Sequence, residues 1–137
     1  MKLLLLSHGS LSKSMYETAS MIMGELEDVS YITLPASADL DNYRDSIRKK
    51  INESGDGLLI LIDLFGGTPF MSVSQIIGER GGWDGIEVVT GMNLGMILET
   101  ISMMTTASLE ELKDIAVKSG GDGIIDLHRK TTGMMEG

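Results

Sequence analysis

Apolar residues fall into two rhythms along this chain. Short runs at residues 2–6 and 57–63, and shorter β-branched stretches at 29–33 and 86–90, read as strands. Between them, apolar positions return every three or four residues, as in helices with one buried stripe. Leu11, Met15, Ala19, Ile22, Met23 and Leu26 form the first such stripe; Leu40, Tyr43, Ile47 and Ile51 form the second, which ends near Gly55. Phe70, Val73, Ile76 and Ile77 carry a third helix inward, and Leu94, Ile97, Leu98 and Ile101 a fourth. Ser37 is placed to cap the second helix and Thr68 the third, with Pro69 at the first helical position, where a missing N–H costs nothing. Ser108 with Glu111 makes a capping box for a fifth helix that stops at Gly120-Gly121. Residues 124–127 read as a last strand and 131–137 as a polar, mobile tail behind a single domain spanning 1–130.

Strands alternating with helices in this way predict an open, mainly parallel α/β sheet with helices on both faces. The loops at 8–10, 63–68 and 91–93 then share the edge formed by the carboxyl ends of the strands, where such sheets bind ligands. If the first strand lies beside the third, as in the flavodoxin-like order, two of these loops meet at a switch point.

Composition narrows the functional classes. A chain of 137 residues suffices for one ordinary core. The absence of cysteine removes disulfides, thiolate nucleophiles and thiolate metal sites, which suits a reducing cytoplasm. No run approaches the ~18 apolar residues of a membrane helix, so the expectation is a cytoplasmic protein. With 20 acidic against 11 basic residues the formal charge is −9, which repels nucleic acid and favours a basic partner.

The candidate chemistry lies in the first two loops. His8 follows the apolar run and precedes Gly9 and Ser10, so a rigid strand holds the imidazole and small residues expose it. A carboxylate hydrogen-bonded to Nδ1–H would leave Nε2 free as base or nucleophile, and Asp63, at the end of the third strand, is the candidate partner. The alternative is that Asp63 only ends its strand and caps the turn. Gly66 and Gly67 let the backbone approach an anion, and Thr68 adds a hydroxyl at the positive end of a helix, together a phosphate-sized receptor. The turn lacks the Gly-Lys-Ser/Thr ending of a nucleotide P-loop, and neither the dinucleotide fingerprint nor the Gly-x-Ser-x-Gly elbow occurs. Asn93 is either a donor to the anion or a turn residue. His128, beside Arg129 and Lys130, reads as a solvated edge residue, and two distant histidines make no metal site.

Ser7-His8-Gly9, the run from Asp63 through Gly66-Gly67-Thr68-Pro69 to Phe70, and Gly91-Met92-Asn93-Leu94 together resemble the EIIA component of the mannose family of the bacterial sugar phosphotransferase system, over nearly the whole chain. The resemblance implies a flavodoxin-like homodimer in which His8 accepts a phosphoryl group from the carrier HPr and passes it to a histidine of EIIB, itself coupled to the membrane permease subunits. It gives Asp63 the task of orienting His8 and Thr68 that of bonding phosphoryl oxygens, with Gly9, Ser10, Gly66, Gly67 and Asn93 around the group. It also implies that the last strand, at 124–127, is exchanged between subunits, running antiparallel. Many relatives fuse EIIA to EIIB; a chain ending at Gly137 implies a separate EIIB. Phosphoryl transfer between histidines depends on alignment and hydrogen bonds, so neither metal nor cofactor is expected. Two alternatives stand beside it: the phosphoryl-donor subunit of dihydroxyacetone kinase, whose third-strand loop does not read Gly-Gly-Thr-Pro, and a non-catalytic regulatory module of the same fold.

Overall fold

A computed structural model describes residues 1–133. Four strands form one all-parallel sheet: β1 (Lys2–Leu6), β2 (Val29–Ile32), β3 (Leu58–Ile62) and β4 (Ile86–Thr90), in the order β2-β1-β3-β4. β1 pairs with β3 from Lys2↔Leu58 to Leu6↔Ile62, so the chain positions that follow Leu6 and Ile62 emerge side by side. This is the predicted order, with the first and third strands adjacent at the centre.

Alternation along a strand sends successive side chains to opposite faces, and a sheet covered on both sides needs apolar residues at every position of its central strands. Leu3, Leu5, Leu59 and Leu61 point to one core, shared with Ala19, Ile97, Leu112 and Ala116. Those residues come from α1 (Leu11–Met23), α4 (Leu94–Met103) and α5 (Leu109–Asp122). Leu4, Leu6, Leu58, Ile60 and Ile62 point to the other core, with Tyr43, Ile47, Val73 and Ile76 from α2 (Leu40–Asn52) and α3 (Thr68–Glu79). The eight leucines and isoleucines of Leu3–Leu6 and Leu59–Ile62 are wholly buried, each worth about 1.5–3 kcal/mol of burial.

The structure corrects several local expectations. α1 buries Ser12 and Ala19, whereas Leu11, Ile22 and Met23 of the predicted stripe are exposed and Leu26 lies beyond the helix. Asp39, not Ser37, caps α2: it directly precedes Leu40, and its Oδ1 accepts from the N–H groups of Asp41 and Asn42, whereas Ser37 lies two residues further from the helix. Gly67 takes the cap position of α3, so Thr68 is its first residue and Pro69 its second, and the Thr68 hydroxyl makes no cap bond. The Ser108–Glu111 capping box of α5 is present as predicted. That helix does not stop at Gly120-Gly121, because Gly120 is buried against Met96 and packing holds the turn helical through Asp122.

The largest difference is at residues 124–127. They form no strand: Ile124 and Ile125 are exposed coil, and Leu127–Thr131 is a short helix, α6, whose first turn is fixed by the N–H of Arg129 donating to Asp126. A strand gains its hydrogen bonds only from a neighbour, whereas the Asp126 cap forms within the segment itself. α6 also crosses the expected domain boundary at 130, and Thr131 closes it; the remainder of the expected tail, 134–137, lies outside the described residues.

Candidate functional site

β1 delivers His8, and β3 delivers Asp63, to the same edge. Asp63 continues the ladder, its N–H donating to Leu6 O at 3.2 Å. Its Oδ2 accepts both the backbone N–H of His8, at 3.0 Å, and Nδ1 of the same residue, at 2.9 Å. Its Oδ1 accepts the N–H of Leu64 at 2.9 Å. A carboxylate can only accept, so the ring proton sits on Nδ1 and the Nε2 lone pair is free. The Asp63 side chain is 9% exposed and that of His8 is 44% exposed, so the pair has a buried base and an open tip. Burial pushes the Asp63 carboxyl up, but the bonds from His8 and Leu64 outweigh it and hold the group below its ordinary value of 3.8.

Gly67 sets the position of the imidazole. A Cβ there would stand 2.7 Å from His8 Nε2 and nearer still to Cε1, so the ring lies directly over the glycine backbone at the amino end of α3. Gly66 supplies the left-handed turn (φ 91°) that brings this backbone up. Gly9, also left-handed (φ 55°), exchanges two backbone hydrogen bonds with Leu34, at 2.8 and 3.1 Å, which ties the His8 loop to the chain leaving β2. Between these loops lies a cavity of about 510 Å³, bordered by His8, Gly9, Thr68, Leu34, Pro35 and Leu40. In the loop that follows Asp63, Leu64 and Phe65 are exposed, and Phe65 packs at a tilt against Phe70 with ring centroids 4.6 Å apart.

His8, Gly9 and Thr68 thus line one cavity, with Gly67 beneath the imidazole and Asp63 bonded to its Nδ1. Ser10 occupies the cap position of α1 but makes no cap bond. That work falls to Ser7, which the sequence reading used only as a motif letter: its buried Oγ accepts the N–H of Ser12 at 2.6 Å, and the Ser12 hydroxyl donates to Ile32 O. A serine ending an apolar run, just ahead of a helix, was the available signal. Asn93 takes the second of its two readings, that of a turn residue. Its Oδ1 caps α4 by accepting from Met96 N, and its amide donates to Gly120 O at 3.1 Å, so it ties α4 to α5. His128 is exposed on α6. Tyr43 was read only as a core residue. Its buried hydroxyl has no partner among the described residues, and burial, with Asp63 nearby, pushes the phenol well above its ordinary value.

A doubly covered parallel sheet carrying a carboxylate-held histidine at a glycine-lined helix mouth defines a class of α/β domain with a histidine-centred site. The family model described as EIIA-man, PTS system fructose IIA component, matches residues 2–117, and the chain belongs to that family of the sugar phosphotransferase system. The chain is 30% identical over 129 residues to the PTS system mannose-specific EIIAB component of Escherichia coli (strain K12), a stretch that is 90% of this chain but 38% of that protein. It is 28% identical over 133 residues to the PTS system sorbose-specific EIIA component of Lacticaseibacillus casei, covering 96% of this chain and 94% of the relative. Among solved structures, phosphotransferase system component EIIA from Streptococcus agalactiae superposes with a TM-score of 0.85 at 27% identity, over 93% of this chain and 97% of that one. The mannose/sorbose specific IIA subunit from Enterococcus faecalis gives 0.78 at 28% identity, over 91% and 92%. Among the described residues no helix is long and apolar enough to cross a membrane.

Proposed function

We propose that this chain is a phosphocarrier whose His8 Nε2 takes a phosphoryl group from phospho-HPr and hands it to a histidine of an EIIB component during sugar uptake. The observation that carries the reading is the Nδ1–Asp63 bond of 2.9 Å, which leaves Nε2 as the only free ring nitrogen and directs it to the mouth of α3. In the forward step the N–P bond of the donor histidine breaks as a bond forms between phosphorus and Nε2. The Nδ1 proton stays on the ring, held by Asp63, which balances positive charge developing on the imidazole. The transition state is loose, with charge spread over three equatorial oxygens. The backbone N–H groups at the start of α3 and the Thr68 hydroxyl are the donors within this loop that can meet those oxygens. The exposed apolar residues Leu64 and Phe65, directly after Asp63, support the docking of a partner at this edge.

The test is transfer of label. With Enzyme I, HPr and labelled phosphoenolpyruvate, the protein is expected to become labelled and His8→Ala is not; label retained in that variant, or found on His128, overturns the assignment. Thr68→Ser is expected to keep the rate that Thr68→Ala loses, because the hydroxyl and not the methyl is the working group.

A further inference from the structure

A second surface lies at the opposite edge of the sheet, at the amino ends of the strands. The last turn of α1, the end of α4 and the start of β1 enclose a groove of about 610 Å³, larger than the cavity beside His8. Its floor is apolar and rich in methionine: Met1, Met23, Leu26, Ile101 and Met104. The same turn of α1 also leaves Met21 79% and Ile22 55% exposed, so the apolar surface continues outside the groove. Methionine side chains are flexible and polarizable, and adapt to the shape of an incoming apolar anchor.

The rim is predominantly acidic, its one cation being the Met1 ammonium. Glu25, Glu27 and Asp28 line it, and none has a cationic partner among the described residues. The fourth acid, Asp56, is already paired with the Met1 ammonium at 2.7 Å. The three free carboxylates follow the carboxyl end of α1, which has no basic residue in its last turn. Negative charge there opposes the helix dipole, an arrangement that an incoming cation relieves.

We propose that this groove docks a basic, amphipathic helical segment of another protein, seating its apolar face on the methionines and its lysines or arginines against Glu25, Glu27 and Asp28. The length of β1 separates it from His8 by roughly 20 Å at ~3.3 Å per residue, so such a segment leaves the phosphoryl site open. The recognition mode is that of an amphipathic helix laid in a hydrophobic groove, with charge complementarity selecting basic sequences.

The probe is a fluorescein-labelled helical peptide of leucine and lysine with its leucines on one face, set against a scrambled peptide of the same composition. The ordered peptide is expected to bind more tightly than the scrambled one, to weaken as salt is raised, and to shift the methyl signals of Met23 and Met104 in methyl-labelled protein while leaving the His8 ring signals unmoved. Glu25→Lys/Glu27→Lys, checked for folding by circular dichroism, is expected to bind at least ~10-fold more weakly, whereas Glu17→Lys/Asp114→Lys, with the same change in net charge, is expected to bind as the wild type does. Equal weakening in both pairs, equal binding of the scrambled peptide, or shifts at His8 alone would overturn the proposal. So would a fall in the mass of the unliganded protein on reversing Glu25 and Glu27, which would assign the groove to a second copy of this chain.

Discussion

The contact between His8 and Gly67 makes a sharp prediction at the scale of one residue. In Gly67→Ala the new methyl must displace the imidazole, because the alternative is to move the amino end of α3 off the sheet. Phosphoryl acceptance is expected to fall about 100-fold, the effect of an ångström-scale misplacement, as read from initial rates of labelling. Stability should fall by only ~1 kcal/mol in a urea titration, since Gly67 has φ −86° and alanine is merely a poorer cap there. Asp63→Asn keeps the volume of the side chain but can turn an N–H toward Nδ1, so transfer is expected to slow by about tenfold or more, ~1.4 kcal/mol. The same substitution has a pH signature. A carboxyl held below its ordinary value stabilises the fold above pH 3.8, and that contribution is lost as the pH falls through the lower folded-state value. The gap in unfolding midpoint between wild type and Asp63→Asn is therefore expected to be full at neutral pH and to close in acid.

At the scale of elements, α2 separates two readings of one loop. Asp39 accepts from two backbone N–H groups at the start of that helix, while Ser37 sits two residues earlier with no such bond. Asp39→Ala is expected to cost ~1 kcal/mol in thermal or urea unfolding, and Ser37→Ala less than ~0.5. Ser37 is the cap the sequence reading expects, but Asp39, directly before Leu40, is the residue whose oxygen the structure uses. The turn of backbone between Leu34 and Leu40 ranks them, and Gly9 fixes its beginning through the paired bonds to Leu34. α3 was legible for a simpler reason: it buries Val73, Ile76 and Ile77 of its 3.6-residue stripe and half-buries Phe70, whereas α4 buries only Ile97 of its stripe, with Met96 and Thr100, and leaves Leu94, Leu98 and Ile101 half-buried. α1 was less legible because its inner face is built from Ser12 and Ala19 rather than from its largest apolar residues.

On the scale of the whole molecule, the segment after α5 carries the open question of assembly. Ile124, Ile125 and Leu127 are 77%, 49% and 70% exposed, an arrangement that a single copy of the chain leaves uncovered. If these residues serve a homodimer, removal of residues from 124 onward is expected to halve the mass measured by light scattering and to leave α5, which ends at Asp122, intact. A full-length protein that is monomeric at micromolar concentration would end that reading. Cutting earlier would confuse the result, because Gly120 O is the acceptor that anchors Asn93.

By itself, the sequence determined the four strands and the first five helices, that the sheet is parallel and covered on both faces, and that His8, Asp63 and the glycine loop share one edge. Those features are periodic or adjacent in the chain, and periodicity is enough to say which face is buried. Tertiary structure alone decided that Asp63 meets His8 through two bonds to a single oxygen, that Gly67 lies beneath the ring, and that Ser7 holds the start of α1. It also turned Asn93 toward Gly120. The Asp63, Gly67 and Asn93 contacts depend on the distance between groups far apart in sequence, which the register of β1 on β3 and the packing of α4 on α5 set; the Ser7 and Asp126 caps are local bonds that periodicity does not select.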